Sequence, residues 1–140
     1  MTEEEKRLFD AIKDFRYTQN RIADLLQRIS ERTYRITPTY SLAAGGGGGG
    51  VAISRVENAA MKQIQLMDEL AGLQKTETNI LDALHNAGLT RKEKGLVECT
   101  MCGYSLAEYA RIHGIYISNV YKIRDKSIEK MIYYLKHKTK

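Results

Sequence analysis

The sequence predicts an all-α fold, a long antiparallel helical pair of the coiled-coil type followed by a helix-turn-helix head. The composition suits helices, since the 140 residues include one proline and no tryptophan. Apolar residues recur at alternating spacings of four and three, as on one face of a helix. A Ser or Thr followed three residues later by Glu, which is typical of a helix start, opens three helical blocks: Thr2 with Glu5, Ser54 with Glu57, and Thr90 with Glu93.

The first block, residues 1–36, is predicted to form one long helix. Its apolar stripe follows a heptad pattern with a single polar interruption at Gln19. The predicted seam consists of Leu8, Ile12, Phe15, Gln19, Ile22, Leu26 and Ile29. Because a helix cannot bury its own stripe, a partner helix is required.

The second block, residues 54–88, supplies that partner. It keeps the same alternation and has Glu77 as its polar member, and Gly88 is suited to end the helix. Its predicted seam consists of Leu66, Leu70, Leu73, Glu77, Ile80 and Leu84. We expect an antiparallel pair, and a homo-oligomer joined through these long helices, for example a dimeric four-helix bundle.

Residues 37–53 are predicted to be a flexible linker between the two helices. They include six consecutive glycines, Gly45–Gly50, which cannot hold a regular element without a large entropic cost. A phosphate-binding loop would need a preceding strand and a Lys, Ser or Thr at a fixed offset, and the sequence has neither.

Residues 89–140 are predicted to form a helix-turn-helix head with helices at 91–102, 105–113 and 117–136. Small Ala110 allows two helices to approach closely, and Gly114 supplies the positive φ of a tight turn. Apolar residues at Leu106, Tyr109, Ile115, Val120 and Ile123 occupy packing positions. The scaffold of the motif is therefore predicted to be Ala110, Gly114, Val120 and Ile123.

The positive charge of the chain lies in the predicted head. The whole chain carries a net charge of +5, and residues 89–140 contain 11 Lys and Arg against 5 Asp and Glu. A basic helix-turn-helix domain is typical of proteins that neutralise DNA phosphates. Double-stranded DNA is the partner we expect, although an ordinary helical hairpin would show similar spacing.

The segment from Leu89 to Met131, LTRKEKGLVECTMCGYSLAEYARIHGIYISNVYKIRDKSIEKM, resembles region 4 of bacterial sigma factors. The resemblance implies a recognition helix that begins near Tyr116, where Ser or Thr is usual, so that Ser118 is an alternative cap for a helix beginning later. It implies base contacts in the major groove by Ile117, Ser118, Tyr121 and Lys122. Ile117 and Tyr121 are either contacts for thymine methyl groups or buried residues.

Basic residues on all three head helices are candidates for contacts with DNA phosphates, which set the register of a protein on DNA. They are Arg91, Lys92, Lys94, Arg111, Arg124, Lys126 and Lys130. For each of them alone, a solvated surface position is the alternative.

Over most of its length the chain is similar to small phage and prophage transcriptional regulators of the RinA and ArpU type. The similarity rests on RITPTYS, a glycine run, and SRVENAAMKQIQLMDELAGL ahead of the sigma-like head. It implies a sequence-specific regulator, an activator of phage late genes. Two alternatives stay open, a small terminase-like packaging subunit and a sigma-mimicking protein that binds host RNA polymerase.

No residue pattern indicates catalysis, and we expect neither an enzyme nor a cofactor. Cys99 and Cys102 form a CxxC, but no second ligand pair follows at a zinc-finger spacing, so we predict helix thiols and no metal site. No apolar run approaches the ~20 residues that span a bilayer, and two cysteines suit a reducing compartment. We expect the cytoplasm of a bacterial host cell and no membrane partner.

Overall fold

The structure, a computed structural model, describes residues 1–43 and 49–138, with side chains described for residues 1–32 and 57–138. Across these ranges the regular elements are all helices: α1 Glu3–Lys13, α2 Phe15–Ala43, α3 Gly49–Asn86, α4 Arg91–Met101, α5 Leu106–His113 and α6 Ile117–His137. The predicted all-α class is therefore confirmed. Within the described ranges, none of the helices combines the length and apolar character needed to span a bilayer.

The predicted first helix is divided at Asp14. Thr2 begins α1, since its hydroxyl accepts a hydrogen bond from the Glu5 N–H at 3.2 Å. Asp14 has φ −90° and ψ 6°, outside the helical range, and it follows the last residue of α1. Its N–H still donates to the Asp10 carbonyl, and its carbonyl accepts from the Thr18 N–H, so helical hydrogen bonds continue across the interruption.

Both long helices extend into the stretch predicted as a linker. The backbone is helical to Ala43 and again from Gly49, so α3 begins before Ser54, which we expected to be its cap. Residues 44–48 of the predicted linker lie outside the described residues. A residue added to an existing helix gains a hydrogen bond without a new nucleation step, which favours extension even through poor helix formers.

The chain divides into two compact units, Met1–Gln19 with Lys75–Lys140, and Asn20–Gln74. The larger unit has a core contributed by α1, the start of α2, the end of α3, α4 and α6. Its buried members are Ile12, Phe15, Ile80, Ala83, Leu84, Val97, Met101, Ile128 and Met131. The unit that contains α4–α6 is thus larger than the predicted head, because the ends of the long helices supply apolar side chains to it.

The smaller unit is an antiparallel helical hairpin. The Arg21 guanidinium contacts the Glu69 carboxylate at 2.8 Å, and the Gln63 amide donates to the Ile29 carbonyl at 3.3 Å. Later residues of α2 therefore pair with earlier residues of α3, as an antiparallel arrangement requires. This geometry agrees with the predicted helical pair.

The buried stripe of α2 differs from the predicted seam at two positions. Thr18 is buried in the larger unit and Leu25 is buried in the hairpin, whereas Gln19 and Leu26 are exposed. The predictions for Gln19 and Leu26 were wrong because spacings of three and four are equally compatible with a helical stripe. The sequence pattern did not distinguish between neighbouring leucines.

Candidate nucleic-acid interface

A capping box begins the first helix of the candidate interface. The Thr90 hydroxyl accepts from the Glu93 N–H, and the Glu93 carboxylate accepts from the Thr90 N–H, each at 3.3 Å. These reciprocal bonds satisfy two groups that the first turn of a helix leaves without partners. The helix α4 consequently begins where the Thr90 and Glu93 pair predicted.

Gly114 forms the turn between α5 and α6. Its φ of 62° and ψ of 37° lie in the left-handed region, which costs glycine little and other residues considerably more. The N–H groups of Gly114 and Ile115 both bond to the Ala110 carbonyl, which closes the end of α5. Because α6 begins at Ile117, three residues connect the two helices.

A small core holds α4, α5 and α6 together. Leu96, Tyr109, Ala110 and Val120 are buried, and Leu106, Ile115, Ile123 and Cys99 pack against them. The structure thus places the predicted scaffold residues Ala110 and Val120 in the core and Ile123 at its edge. Because α4, α5 and α6 pack around this core, α6 is held in place. The opposite side of its first two turns takes no part in the packing.

The first two turns of α6 present an exposed face. Ile117, Ser118, Tyr121 and Lys122, the predicted base contacts, are all exposed, with Ile117 39% and Tyr121 45% accessible. Residues four apart lie one above the other on a helix, so these two pairs form one surface. Burial of Ile117 and Tyr121, which the sequence left as an alternative, is excluded by the structure.

Ser118 does not cap α6. The helix begins at Ile117, and the Tyr116 carbonyl accepts from the N–H groups of Asn119 and Val120 at 2.9 and 3.2 Å. Tyr116 makes no side-chain cap bond. The alternative of a later helix start was therefore wrong, and Ser118 stands on the exposed surface of the first turn.

Basic side chains line two grooves next to this face. Lys92, Lys122 and Lys126 line one groove between the N-terminus of α4 and α6. Arg111 lines a second groove with Tyr116 and Ile117. The carboxylates of Glu93, Asp125 and Glu129 line the first groove as well, so its lysines alternate with acidic side chains. Lys92, Lys126 and Arg111 are the cations that lie beside the exposed face of α6.

Two of the seven predicted phosphate contacts have partners within the chain. Lys130 donates to Glu93 at 2.7 Å, and Arg124 contacts Asp125 at 2.9 Å. Among the described residues no ion pair is formed by the other five, which are Arg91, Lys92, Lys94, Arg111 and Lys126. An intramolecular role thus accounts for Lys130 and Arg124 without DNA.

Glu93 is a buried acid that the sequence analysis identified only as a cap. Burial acts to raise the pKa of its carboxyl group, but the hydrogen bonds from Lys130 and Thr90 outweigh burial, and the pKa lies below its ordinary value. The capping pattern predicted the bond to Thr90. No local pattern could have predicted Lys130, which lies 37 residues away.

Arg124 also positions an aromatic ring at the interface. Its guanidinium lies over the Tyr121 ring, 5.1 Å from the centroid, and 5.3 Å from the centroid of the Phe9 ring. Cation–π contacts of this length favour a fixed ring orientation. Phe9 belongs to α1, so the N-terminal helix contributes to the support of the α6 face.

The CxxC thiols lie at the C-terminal end of α4, away from the Thr90 cap. Cys99 is half-buried beside the small core, and burial raises the pKa of its thiol, whereas Cys102 is exposed. Arg16 donates to the Cys102 carbonyl at 3.4 Å, so this end of the helix is capped by a side chain. The described part of the chain contains no group of three or more His, Cys, Asp and Glu side chains that could hold a metal ion.

Comparison of the chain with known protein families, curated proteins and solved structures found no match.

Proposed function

We propose that the protein binds double-stranded DNA through α5 and α6, with the N-terminal turns of α6 in the major groove. The observation that carries the proposal is the exposed face of Ile117, Ser118, Tyr121 and Lys122 on a helix whose other side is packed. A helix on a rigid base is the usual means of bringing side chains to base edges. Lys122 can bond to guanine and Ser118 to several bases.

The distribution of charge supports DNA as the partner. Lys92 and Lys126 line the groove beside Lys122, and Arg111 lies near Ile117. Although Glu93, Asp125 and Glu129 line the same groove as these lysines, residues 89–140 contain 11 Lys and Arg against 5 Asp and Glu, and this excess suits contact with DNA phosphates. Such contacts make binding strongly dependent on salt.

Regulation of transcription is the role we propose for this binding, as the likeness to region 4 and to phage regulators implies. Activation of phage late genes is the specific form. Which genes are controlled depends on the promoter that the protein occupies. A bacterial cytoplasm is the corresponding location.

We also propose that the hairpin joins copies of the chain. Leu26, Met61, Ile64 and Met67 of this unit are 48%, 61%, 58% and 52% exposed. Met61, Ile64 and Met67 are spaced three apart along α3 and so follow one another on one face of it, and a contiguous apolar patch of this kind is typical of an association surface. Sedimentation of the Ile64→Lys, Met67→Lys double variant should give a lower mass than the wild type, whereas the Gln65→Lys variant, changed at an exposed polar position, should not. An unaltered mass in the double variant would contradict this surface.

Selection from a random-sequence duplex library, followed by binding titrations, tests DNA recognition. We expect the wild-type protein to enrich a sequence, and Lys122→Ala to weaken binding to that sequence about tenfold or more. Lys62→Ala, which changes an exposed lysine of the hairpin, is the matched control and should bind as the wild type does. If the wild type enriched nothing, the DNA proposal would be wrong, and if Lys122→Ala bound normally, the assigned face would be wrong.

A further inference from the structure

The exposed face at the start of α6 contains large apolar side chains. Ile117 and Tyr121 lie on it, and Tyr116, which precedes the helix, is 82% exposed. The scaffold does not need these side chains, since the packing of α6 on α5 uses Val120 and Ile123. Their exposure leaves three neighbouring apolar groups that a partner with apolar groups of its own can contact.

The spacing of Ile117 and Tyr121 suits two nearby positions on one DNA strand. They are four residues apart, so their Cα atoms are separated by about 6 Å along the helix axis. Successive bases of a strand are separated by about 3.4 Å. The two side chains can thus reach bases about two steps apart.

Tyr121 is held in place before any DNA is bound. The Arg124 guanidinium covers its ring at 5.1 Å and is itself held by Asp125 and by contact with Phe9. A side chain that is already ordered loses less conformational entropy on binding. The arrangement therefore favours a specific contact by the Tyr121 ring over a loose surface contact.

The chemistry of base edges limits what these side chains can recognise. In the major groove the edges of guanine, adenine and cytosine present polar donors and acceptors, whereas thymine adds a methyl group at C5. Placing Ile117 against a polar edge would remove that edge from water without a hydrogen bond. A methyl group has no such cost, and 5-methylcytosine carries its methyl at the same ring position.

We propose that Ile117 and Tyr121 select 5-methylpyrimidines in the major groove, which are thymine or 5-methylcytosine. This inference rests on the proposed DNA binding and specifies the chemistry of the site. Ser118 and Lys122 supply the polar contacts on the same face. The preferred sequence therefore combines positions recognised by hydrogen bonds with positions recognised by a methyl group.

Replacing thymine by uracil tests the proposal, because it removes the methyl group and leaves the protein unchanged. The probe is the duplex enriched from the random library. It is made in two forms, one with thymine and one with uracil at every thymine position. We expect uracil to weaken binding about fourfold for each methyl contacted, or about fifteenfold for two. A second pair of duplexes carries cytosine or 5-methylcytosine at the positions where uracil weakens binding. The methylated duplex should bind more tightly than the unmethylated one, and equal binding of the two would remove 5-methylcytosine from the proposal.

Two variants test whether Ile117 causes the difference in affinity between the thymine and uracil duplexes. Ile117→Ala should reduce the ratio of thymine to uracil affinity, because the side chain that contacts the methyl is shortened. Lys122→Ala should weaken binding to both duplexes and leave that ratio unchanged. Equal and tight binding of the thymine and uracil duplexes would overturn this inference alone, whereas binding to neither would overturn the proposed function and this inference with it.

Discussion

Lys130 donates a hydrogen bond to the carboxylate of Glu93 at 2.7 Å and so connects the middle of α6 to the first turn of α4. The same Glu93 oxygen accepts from the Thr90 N–H that begins α4. Glu93 is 5% exposed, and its other oxygen has no hydrogen-bond partner among the described residues. One side chain thus sets both the start of α4 and its contact with α6.

Glu93→Gln should lower the free energy of unfolding by about 1–3 kcal/mol at neutral pH. Glutamine keeps the capping bond but loses the charge that Lys130 contacts. Because the pKa of Glu93 is lowered in the folded protein, its contribution is complete above the ordinary value of 4.5 and is lost as the pH falls below it. Urea unfolding from pH 7 to pH 3 should therefore show a smaller acid-dependent loss in the variant.

Lys126→Ala is the control for this measurement, since Lys126 is exposed and has no ion pair in the described part of the chain. Its acid-dependent loss of stability should match that of the wild type. The same profile in the wild type and in Glu93→Gln would show that the ion pair contributes nothing to folding.

Gly114→Ala should destabilise the head by about 1–2 kcal/mol, because alanine would have to adopt the left-handed conformation at φ 62°. Apart from its two chain neighbours, no residue has an atom within 4 Å of the position that the added Cβ would occupy, so the cost comes from backbone strain. Gly95→Ala is the matched change inside α4, where space is equally open, and it should stabilise the protein by about 0.5–1 kcal/mol. Thermal unfolding of the two variants should shift in opposite directions, and a shift in the same direction would refute the argument.

Leu25→Ala should cost about 2–5 kcal/mol, because Leu25 is fully buried in the hairpin. The neighbouring Leu26→Ala should change stability by less than about 0.5 kcal/mol, because Leu26 is 48% exposed. Urea unfolding of both variants at the same low chain concentration makes the comparison, since any association would add to stability. Equal losses would mean that the buried stripe of α2 is assigned incorrectly.

Lys126→Ala should reduce the slope of the logarithm of DNA affinity against the logarithm of salt concentration by about one, as expected for one lost phosphate contact. Its stability should stay close to that of the wild type. Lys130→Ala should behave differently and lower stability, because it leaves Glu93 buried without its cation. Binding titrations at several salt concentrations measure the first effect, and an unchanged slope would remove Lys126 from the phosphate contacts.

Local signals in the sequence were sufficient to predict the helices of the head. Ranges of 91–102, 105–113 and 117–136 were predicted, and the structure has Arg91–Met101, Leu106–His113 and Ile117–His137. Thr90 and Ser105 each accept a bond from the N–H three residues later, and Gly114 ends α5. Caps and turns depend on a few adjacent residues, and a sequence pattern therefore contains the needed information.

The face of α6 was predicted in part. The resemblance to sigma region 4 implied Ile117, Ser118, Tyr121 and Lys122, and tertiary packing decided that all four are exposed. Arg124 lies over Tyr121, one turn away on the same helix, but only tertiary packing decided that it also lies over Phe9 of α1. A contact between residues distant in the chain leaves no periodic signal by which it could be found.

By itself the sequence determined the helical class, the caps at Thr2 and Thr90, the helix-turn-helix and the basic character of its surroundings, because these depend on composition and on neighbours within one or two turns. Only the tertiary structure decided that Ile12 and Ile80 share a core with Ile128, that Leu25 and not Leu26 is buried, and that Lys130 pairs with Glu93. The physical reason is that burial and ion pairing are settled by which distant side chains meet. A periodicity of three and four residues allows several faces of the same helix to pack, and the free energy of the whole core selects one of them.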